Sequence, residues 1–399
     1  MTSSDETGVG KGSTKGSGSG SDAGMMGSSN LETAVRAALD TVIDPELRLP
    51  LPELDMIASL EIDADGNAKV GVNLTVVGCP ASVRIQNEVH AAVSAVDGIN
   101  QVDVALGVMT PEQRAALTTK LRAGRAARTN PFDENTLTKI YLIGSGKGGV
   151  GKSSLTANLA AALAAKGLRV GLIDADIFGF SIPGQLGVTA KPTQVDSLIL
   201  PPVAFDVKVI SIGMFVEGNA PVAWRGPMLH RTINQFLTDV FWGDLDILLV
   251  DLPPGTGDVA ISLGQLLPTA KTVVVTTPQL AASDVAERSA TVGLQTGQGV
   301  FGVIENMAWL EQADGSKLEI FGAGGGQLVA DRLSAATGEV VPVLGQIGLS
   351  VALREGSDAG SPVVISHPED PASKVLLQIA EALARDPRKL AGRRLKLQV

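Results

Sequence analysis

A single cysteine, Cys79, excludes an internal disulfide anywhere in the 399 residues. Three histidines, His90, His230 and His367, lie far apart and show no paired metal-ligand spacing, so they are read as surface or packing residues. Aromatic residues make up only 3% of the chain against 44% hydrophobic residues overall, which leaves the packing to Ala, Val, Leu and Gly. Basic residues are outnumbered, 32 to 42, and the net charge of -10 argues against a general nucleic-acid binder, which needs a basic face. No uninterrupted apolar run reaches the roughly 20 residues of a membrane span, and no signal-peptide pattern is seen. The expectation is a cytoplasmic protein of two or more domains.

What is present is concentrated between Lys139 and Asp176. Ile140–Ile143 reads as a short buried strand, and the glycine-rich turn Gly144–Gly151 follows it. Lys152, Ser153 and Ser154 then open an Ala/Leu-rich helix, which ends at Lys166-Gly167. A second apolar strand, Val170–Ile173, ends in Asp174-Ala-Asp176. Gly146-Lys147-Gly148-Gly149-Val150-Gly151-Lys152-Ser153 fits the G-x-x-x-x-G-K-[ST] phosphate-loop pattern, in the strand–turn–helix context that the pattern requires. The glycines let backbone N–H groups turn inward around phosphate oxygens, and the helix N-terminus adds partial positive charge. Residues 146–154 are therefore read as the nucleotide site. Lys152 is expected on the β/γ-phosphates, and Ser153 on the magnesium ion that accompanies ATP.

Lys147 adds a second lysine directly after the first glycine. The form GKGGVGK[ST] resembles the deviant phosphate loop of the ParA/MinD class of dimerising ATPases. That resemblance implies a homodimer in which Lys147 contacts phosphate across the interface and takes part in catalysis.

Along the chain, residues 1–30 are rich in Ser, Gly and Thr and are expected to be disordered. Residues 31–125 alternate helix-like and strand-like patterns and read as a small α+β domain. Within it, Thr110-Pro-Glu-Gln113 carries a helix-capping signature. Residues 126–136 read as a linker, 137–385 as an α/β domain with a mostly parallel sheet, and 386–399 as a basic tail.

Inside the large domain, Asp174 and Asp176 follow a strand, where carboxylates hold a magnesium-bound water, orient an attacking one, or cap a turn. Asp244–Asp251 is an apolar strand ending in an acid, so Asp251 is expected to help place Mg²⁺. The LPPGTGD segment after it, ending at Asp258, has the glycines of a switch loop. Pro278-Gln279 and Asn306 end later strands; an asparagine there can donate to and accept from a base edge, and is also commonplace at an exposed strand end.

DADIFGFSIPG, WRGPMLH, DLPPGTGD, TTPQLAASDVAERS, GVIENM and IFGAGGGQL together resemble the Mrp/ApbC-type iron–sulfur cluster carrier ATPases. Asp44-Pro-Glu46-Leu followed by Thr75-Val-Val-Gly-Cys79-Pro resembles the small accessory domain of iron–sulfur assembly factors. The resemblance implies slow, dimer-dependent ATP hydrolysis with ATP and Mg²⁺, Asp176 orienting the attacking water, Asn306 on adenine, and cluster delivery to recipient apoproteins. Two features depart from it. Phe180 stands where proline is usual. The Cys-x-x-Cys pair that holds a shared cluster in this family is absent after Met307, where the chain reads Ala308-Trp-Leu-Glu-Gln. Cys79 is then the single candidate cluster thiol, and it reads equally as a small buried hydrophobe. The alternative is a ParA/MinD-like switch that positions partners, or binds membrane, without a cluster. The basic tail favours that reading, although Pro387 and Gly392 interrupt it and make a solvated tail the simpler expectation over a membrane contact.

Overall fold

The computed structural model describes residues 22–122, 129–177, 179–215, 226–255, 257–279, 293–294 and 296–387. Several expectations fall outside these residues: most of the N-terminal tail, Trp224 and Arg225 of WRGPMLH, Thr256 of the switch loop, Leu280–Val292, and the tail from Arg388.

Two compact units are present. The smaller takes in the chain up to Asp44, Leu49–Leu74 and Ser82–Gly107. Its three-stranded sheet has the order β1-β2-β3, from β1 (Ile57–Ile62), β2 (Asn67–Leu74) and β3 (Gln101–Val108). β1 and β2 pair antiparallel, and the Asp63 carboxylate closes their turn by accepting from the N–H groups of Asp65 and Asn67. Alternation along β2 buries Ala68, Val70, Val72 and Leu74. The helix Ser82–Ser94 answers with Ile85, Val89 and Val93, spaced by four so that they share one face.

Two boundaries differ from the sequence reading. The first helix spans Asp22–Leu39, so the segment expected to be disordered up to Asn30 is helical from Asp22 onward. Ala23, Met25 and Met26 are adequate helix formers, and the amphipathic run behind them supplies the nucleus. The helix Pro111–Leu121 carries the expected capping box, with Thr110 and Gln113 bonding reciprocally. It belongs to the larger unit, however, together with Pro45–Arg48 and Thr75–Ala81. Arg122 donates to Ser197 Oγ at 2.8 Å, and Arg114 approaches Asp196.

The larger unit is α/β, as expected. Its eight-stranded sheet has the order β15-β12-β11-β4-β10-β5-β9-β8. The strands are β4 (Lys139–Ser145), β5 (Val170–Asp174), β8 (Val203–Ala204), β9 (Val207–Ser211), β10 (Ile247–Asp251), β11 (Lys271–Thr276), β12 (Gly299–Asn306) and β15 (Val343–Ile347). All neighbours run parallel except β8 against β9. Two small hairpins, β6 (Thr193–Val195) with β7 (Leu198–Leu200) and β13 (Leu310–Glu311) with β14 (Lys317–Leu318), lie apart from it.

Central strands of a parallel sheet are buried on both faces, and here alternate residues feed separate cores. Tyr141 and Ile143 of β4, with Ile247 and Leu249 of β10, pack beneath the helix Lys152–Ala165. Ile140, Leu142, Leu248 and Val250 face the second core, with Phe236 and Trp242. The Ala-rich helix is buried from Leu155 through Ala164, and small side chains permit that close approach. The last helix, Pro371–Arg385, is tied to the sheet by the Tyr141 hydroxyl, which donates to Leu383 O and the Asp386 carboxylate, and by Lys271 on the same carboxylate at 2.7 Å. Burial, and then the Asp386 charge, hold the Tyr141 phenol far above its ordinary range, so it stays a donor.

Because β10 lies between β4 and β5, Asp251 is in register with Ile143 on one side and with Asp174 on the other. Three strand ends therefore meet at the carboxyl edge of the sheet, where ligands bind in open α/β folds. Beneath that edge Gly171 is closely covered: a Cβ there would lie 2.6 Å from Leu245 and 2.9 Å from the Trp242 ring. Gly171→Ala is expected to destabilise the protein by about 1–3 kcal/mol through overpacking. A denaturation midpoint equal to that of the parent protein would show that the contact yields freely.

Candidate nucleotide site

Strand β4 ends in Ser145 and hands over to a loop that wraps toward the N-terminus of the helix Lys152–Ala165. A cavity of about 790 Å³ opens above it. Lys147 through Ser154 form its floor, with Asp176, Ile177 and Gly179 on one side. Leu229, Pro253, Pro254, Gly257, Asp258 and Val259 complete the wall. Its size is that of a small-molecule site, and its lining is apolar with a few convergent polar groups. No side chain caps the helix N-terminus, which leaves the loop's N–H groups to an anion.

Asp251 is fully buried at the bottom of this arrangement. Its Oδ2 pairs with Lys152 Nζ at 2.7 Å and accepts from Ser153 Oγ at 2.6 Å. Oδ1 accepts from Thr156 Oγ1 at 2.9 Å. A carboxylate and a hydroxyl in contact below a phosphate loop are the hard oxygen donors that suit Mg²⁺, so the donor set of Ser153 and Asp251 fits that ion.

Asp174, expected as a magnesium ligand, is held by the protein's own hydrogen-bond donors. It is fully buried and is not among the cavity-lining residues. Its Oδ1 accepts from Asp176 N–H, and its Oδ2 from Ser211 Oγ and the N–H groups of Ser181 and Ile182. These bonds hold the turn that presents Asp176. Burial first, and then the neighbouring Asp251 charge, push the Asp174 carboxyl up to about 7. Asp176 does face the cavity, with Oδ1 accepting from Gly179 N–H at 3.0 Å.

Lys147 reaches sideways, and its Nζ donates to Gln279 Oε1 at 2.6 Å. Asp258 is exposed at the first turn of the helix Asp258–Leu266, on the cavity wall. Asn306 does not present an edge to the cavity: it is 4% exposed, and its Nδ2 donates to Val150 O at 2.9 Å. Gly146 is buried at the start of the loop, behind the lining residues. Of the partners that sequence reasoning missed, Thr156 left one signal, a hydroxyl one turn beyond Lys152 in an Ala/Leu-rich helix. Ser211 left none, since only the β5–β9 pairing brings it to Asp174.

Cys79 is 4% exposed and lies in the larger unit, whereas Asp44 lies in the smaller. Glu46, also in the larger unit, is buried and accepts from Thr193 Oγ1. Where the Cys-x-x-Cys pair was looked for, the β13–β14 hairpin stands, with Lys317 Nζ 3.6 Å above the Trp309 ring. Among the described residues, no group of three or more His, Cys, Asp or Glu is placed to hold a metal ion. Among them too, no helix is long and apolar enough to cross a membrane.

The chain is similar to known proteins over most of its length. The NUBPL iron-transfer P-loop NTPase family matches residues 136–384, and the iron–sulfur cluster assembly protein family matches residues 32–106. An iron–sulfur cluster carrier protein of Mycobacterium leprae is 53% identical over 364 residues, covering 91% of this chain and 95% of that one. One from Bacillus subtilis is 41% identical over 321 residues, covering 80% and 88%. Among solved structures, a nucleotide-binding protein from Archaeoglobus fulgidus in complex with ADP is 32% identical, with a TM-score of 0.50, covering 61% of this chain and 94% of that one.

The pH dependence of stability follows from Asp174. Its folded-state value is raised above the ordinary 3.8, so its favourable contribution is complete below about pH 4 and is lost as pH rises toward about 7. In nucleotide-free protein, Asp174→Asn should flatten the decline in unfolding free energy between those limits. A decline of unchanged slope in the variant would assign it to other groups.

Proposed function

The chain belongs to the NUBPL-type iron-transfer P-loop NTPase family, and from that membership we propose that it is an ATP-hydrolysing iron–sulfur cluster carrier, acting as a homodimer and delivering clusters to apoproteins. The observation that carries the reading is the buried Lys152–Asp251–Ser153 constellation beneath the phosphate-loop cavity. A bound triphosphate would take Lys152 from Asp251 and replace one charged partner with another. Asp251 and Ser153 would then hold Mg²⁺, whose chemistry is to neutralise charge on the β- and γ-phosphate oxygens. Loop N–H groups and the helix N-terminus bind the phosphates. Asp176, fixed through the turn that Asp174 holds, orients the attacking water as its oxygen bonds to the γ-phosphorus and the bond to ADP breaks. In the homodimer Lys147 leaves Gln279 and contacts the phosphates bound by the other subunit. Asp258 sits where a segment sensing the γ-phosphate would couple to the helix behind it.

The three site residues should separate cleanly. Lys152→Ala is expected to abolish ATP binding. Lys147→Ala should bind ATP nearly as the parent does and lose ATP-dependent dimerisation and hydrolysis. Asp176→Ala should bind MgATP and turn it over at least about a hundredfold more slowly. Calorimetry, light scattering and phosphate release measure these; a Lys147→Ala protein that dimerises and hydrolyses normally would sink the cross-subunit role.

The cluster is cargo, and each subunit offers it one thiol, Cys79. A second reading, an ATP-dependent switch that acts on partners without holding a cluster, draws support from the burial of Cys79. Iron and sulfide analysis after anaerobic reconstitution distinguishes the two. The carrier reading expects a labile cluster that needs an outside ligand and is lost in Cys79→Ser, with ATP hydrolysis unchanged. No uptake by the parent protein would favour the switch, and equal uptake by Cys79→Ser would move the ligands elsewhere.

A further inference from the structure

We infer that Asn306 is a positioning residue for the phosphate loop, fixing one peptide plane so that its N–H faces bound phosphate. The inference deepens the nucleotide-site reading above and rests on it. Asn306 is the last residue of β12, nearly fully buried, and lies outside the cavity lining. Its side-chain amide donates to the carbonyl of Val150 at 2.9 Å.

That carbonyl shares a peptide plane with the N–H of Gly151. In a trans peptide the two point in opposite directions, so holding the carbonyl outward holds the N–H inward. A loop that turns N–H groups toward an anion must turn carbonyls away from it, into protein, where an unpaired carbonyl is costly. Val150 is 2% exposed, and Asn306 is the donor that meets its carbonyl. Glycine makes such a restraint necessary, because a peptide flanked by glycine flips with little steric resistance. Gly151 has φ of 83°, and a Cβ there would collide with the Asn306 amide nitrogen. The fit is mutual: glycine makes room for the amide, and the amide fixes the glycine's peptide.

Met307 supports the same placement. It adopts a left-handed φ of 59°, rare for a long side chain, directly after Asn306. Its Cε approaches the same face of Gly151. Backbone strain of this kind persists where surrounding structure over-determines it.

The test is titration calorimetry of the full chain with MgATP and with magnesium tripolyphosphate, which has phosphates and no base. The variants are Asn306→Leu, which keeps the volume and removes the donor, and Asn306→Ala, should leucine not fit. Thermal unfolding without ligand confirms that each variant is folded at the titration temperature. Both ligands are expected to bind about tenfold more weakly to the variants, by the same factor, as loss of one buried donor predicts. A loss for ATP with tripolyphosphate unchanged would overturn the inference in favour of a base contact. Unchanged binding of both would also overturn it. Failure of the parent protein to bind either ligand would instead sink the nucleotide-site reading itself.

Discussion

The ion pair between Lys152 and Asp251 is the contact on which the rest of the site depends. Both side chains are almost completely removed from water, and their atoms meet at 2.7 Å. A buried pair of this kind contributes little net stability, because desolvating two ions offsets most of their attraction, whereas removing one partner costs about 3–5 kcal/mol. Its value lies in being exchangeable: the lysine already stands in a dry, low-dielectric place where a phosphate gains most from it. To bring the pair together the fold must align β10 with β4 and start a helix directly after the loop. The parallel register and the Ala-rich helix can both be understood as serving that alignment.

Asp174 puts a second buried carboxyl beside Asp251. Adjacent parallel strands place Asp174 beside Asp251, and neither is solvated. Two carboxylates so placed cannot both ionise cheaply. Lys152 and two hydroxyl donors serve Asp251, while Asp174, with no cation among its hydrogen-bond partners, is pushed up to about 7. Asp174 also holds the turn bearing Asp176.

The phosphate loop, the strand that ends at Asp251 and the α/β class were legible because each is written in local spacing. A glycine pattern between a strand and a helix, or an apolar run closing on an acid, needs no knowledge of distant residues. Asn306 and Gln279 were visible as strand ends, yet their partners Val150 and Lys147 lie more than 100 positions away and meet them only through sheet order. The role of Asp174 was hidden for the same reason, since its competitor for charge comes from another strand. Chain order and contact also diverge. Thr75–Ala81 lies between β2 and β3 in sequence and Pro111–Leu121 follows β3, yet both belong to the larger unit.

That reassignment changes how Cys79 is understood. In sequence it stands in a turn of the small domain, remote from the nucleotide; in the fold it belongs to the unit that contains the phosphate loop. Its neighbours Val77, Gly78 and Pro80 are exposed while its own side chain points inward. A short segment with exposed neighbours opens locally at a small fraction of the cost of global unfolding. Burial of Cys79 argues against a permanently displayed ligand. The hairpin at Leu310–Leu318, which stands where a paired-cysteine site would be, carries no thiol to share the task. Any thiolate coordination of cargo by this chain must then pass through the Cys79 segment, separate from the groups that hold the phosphates.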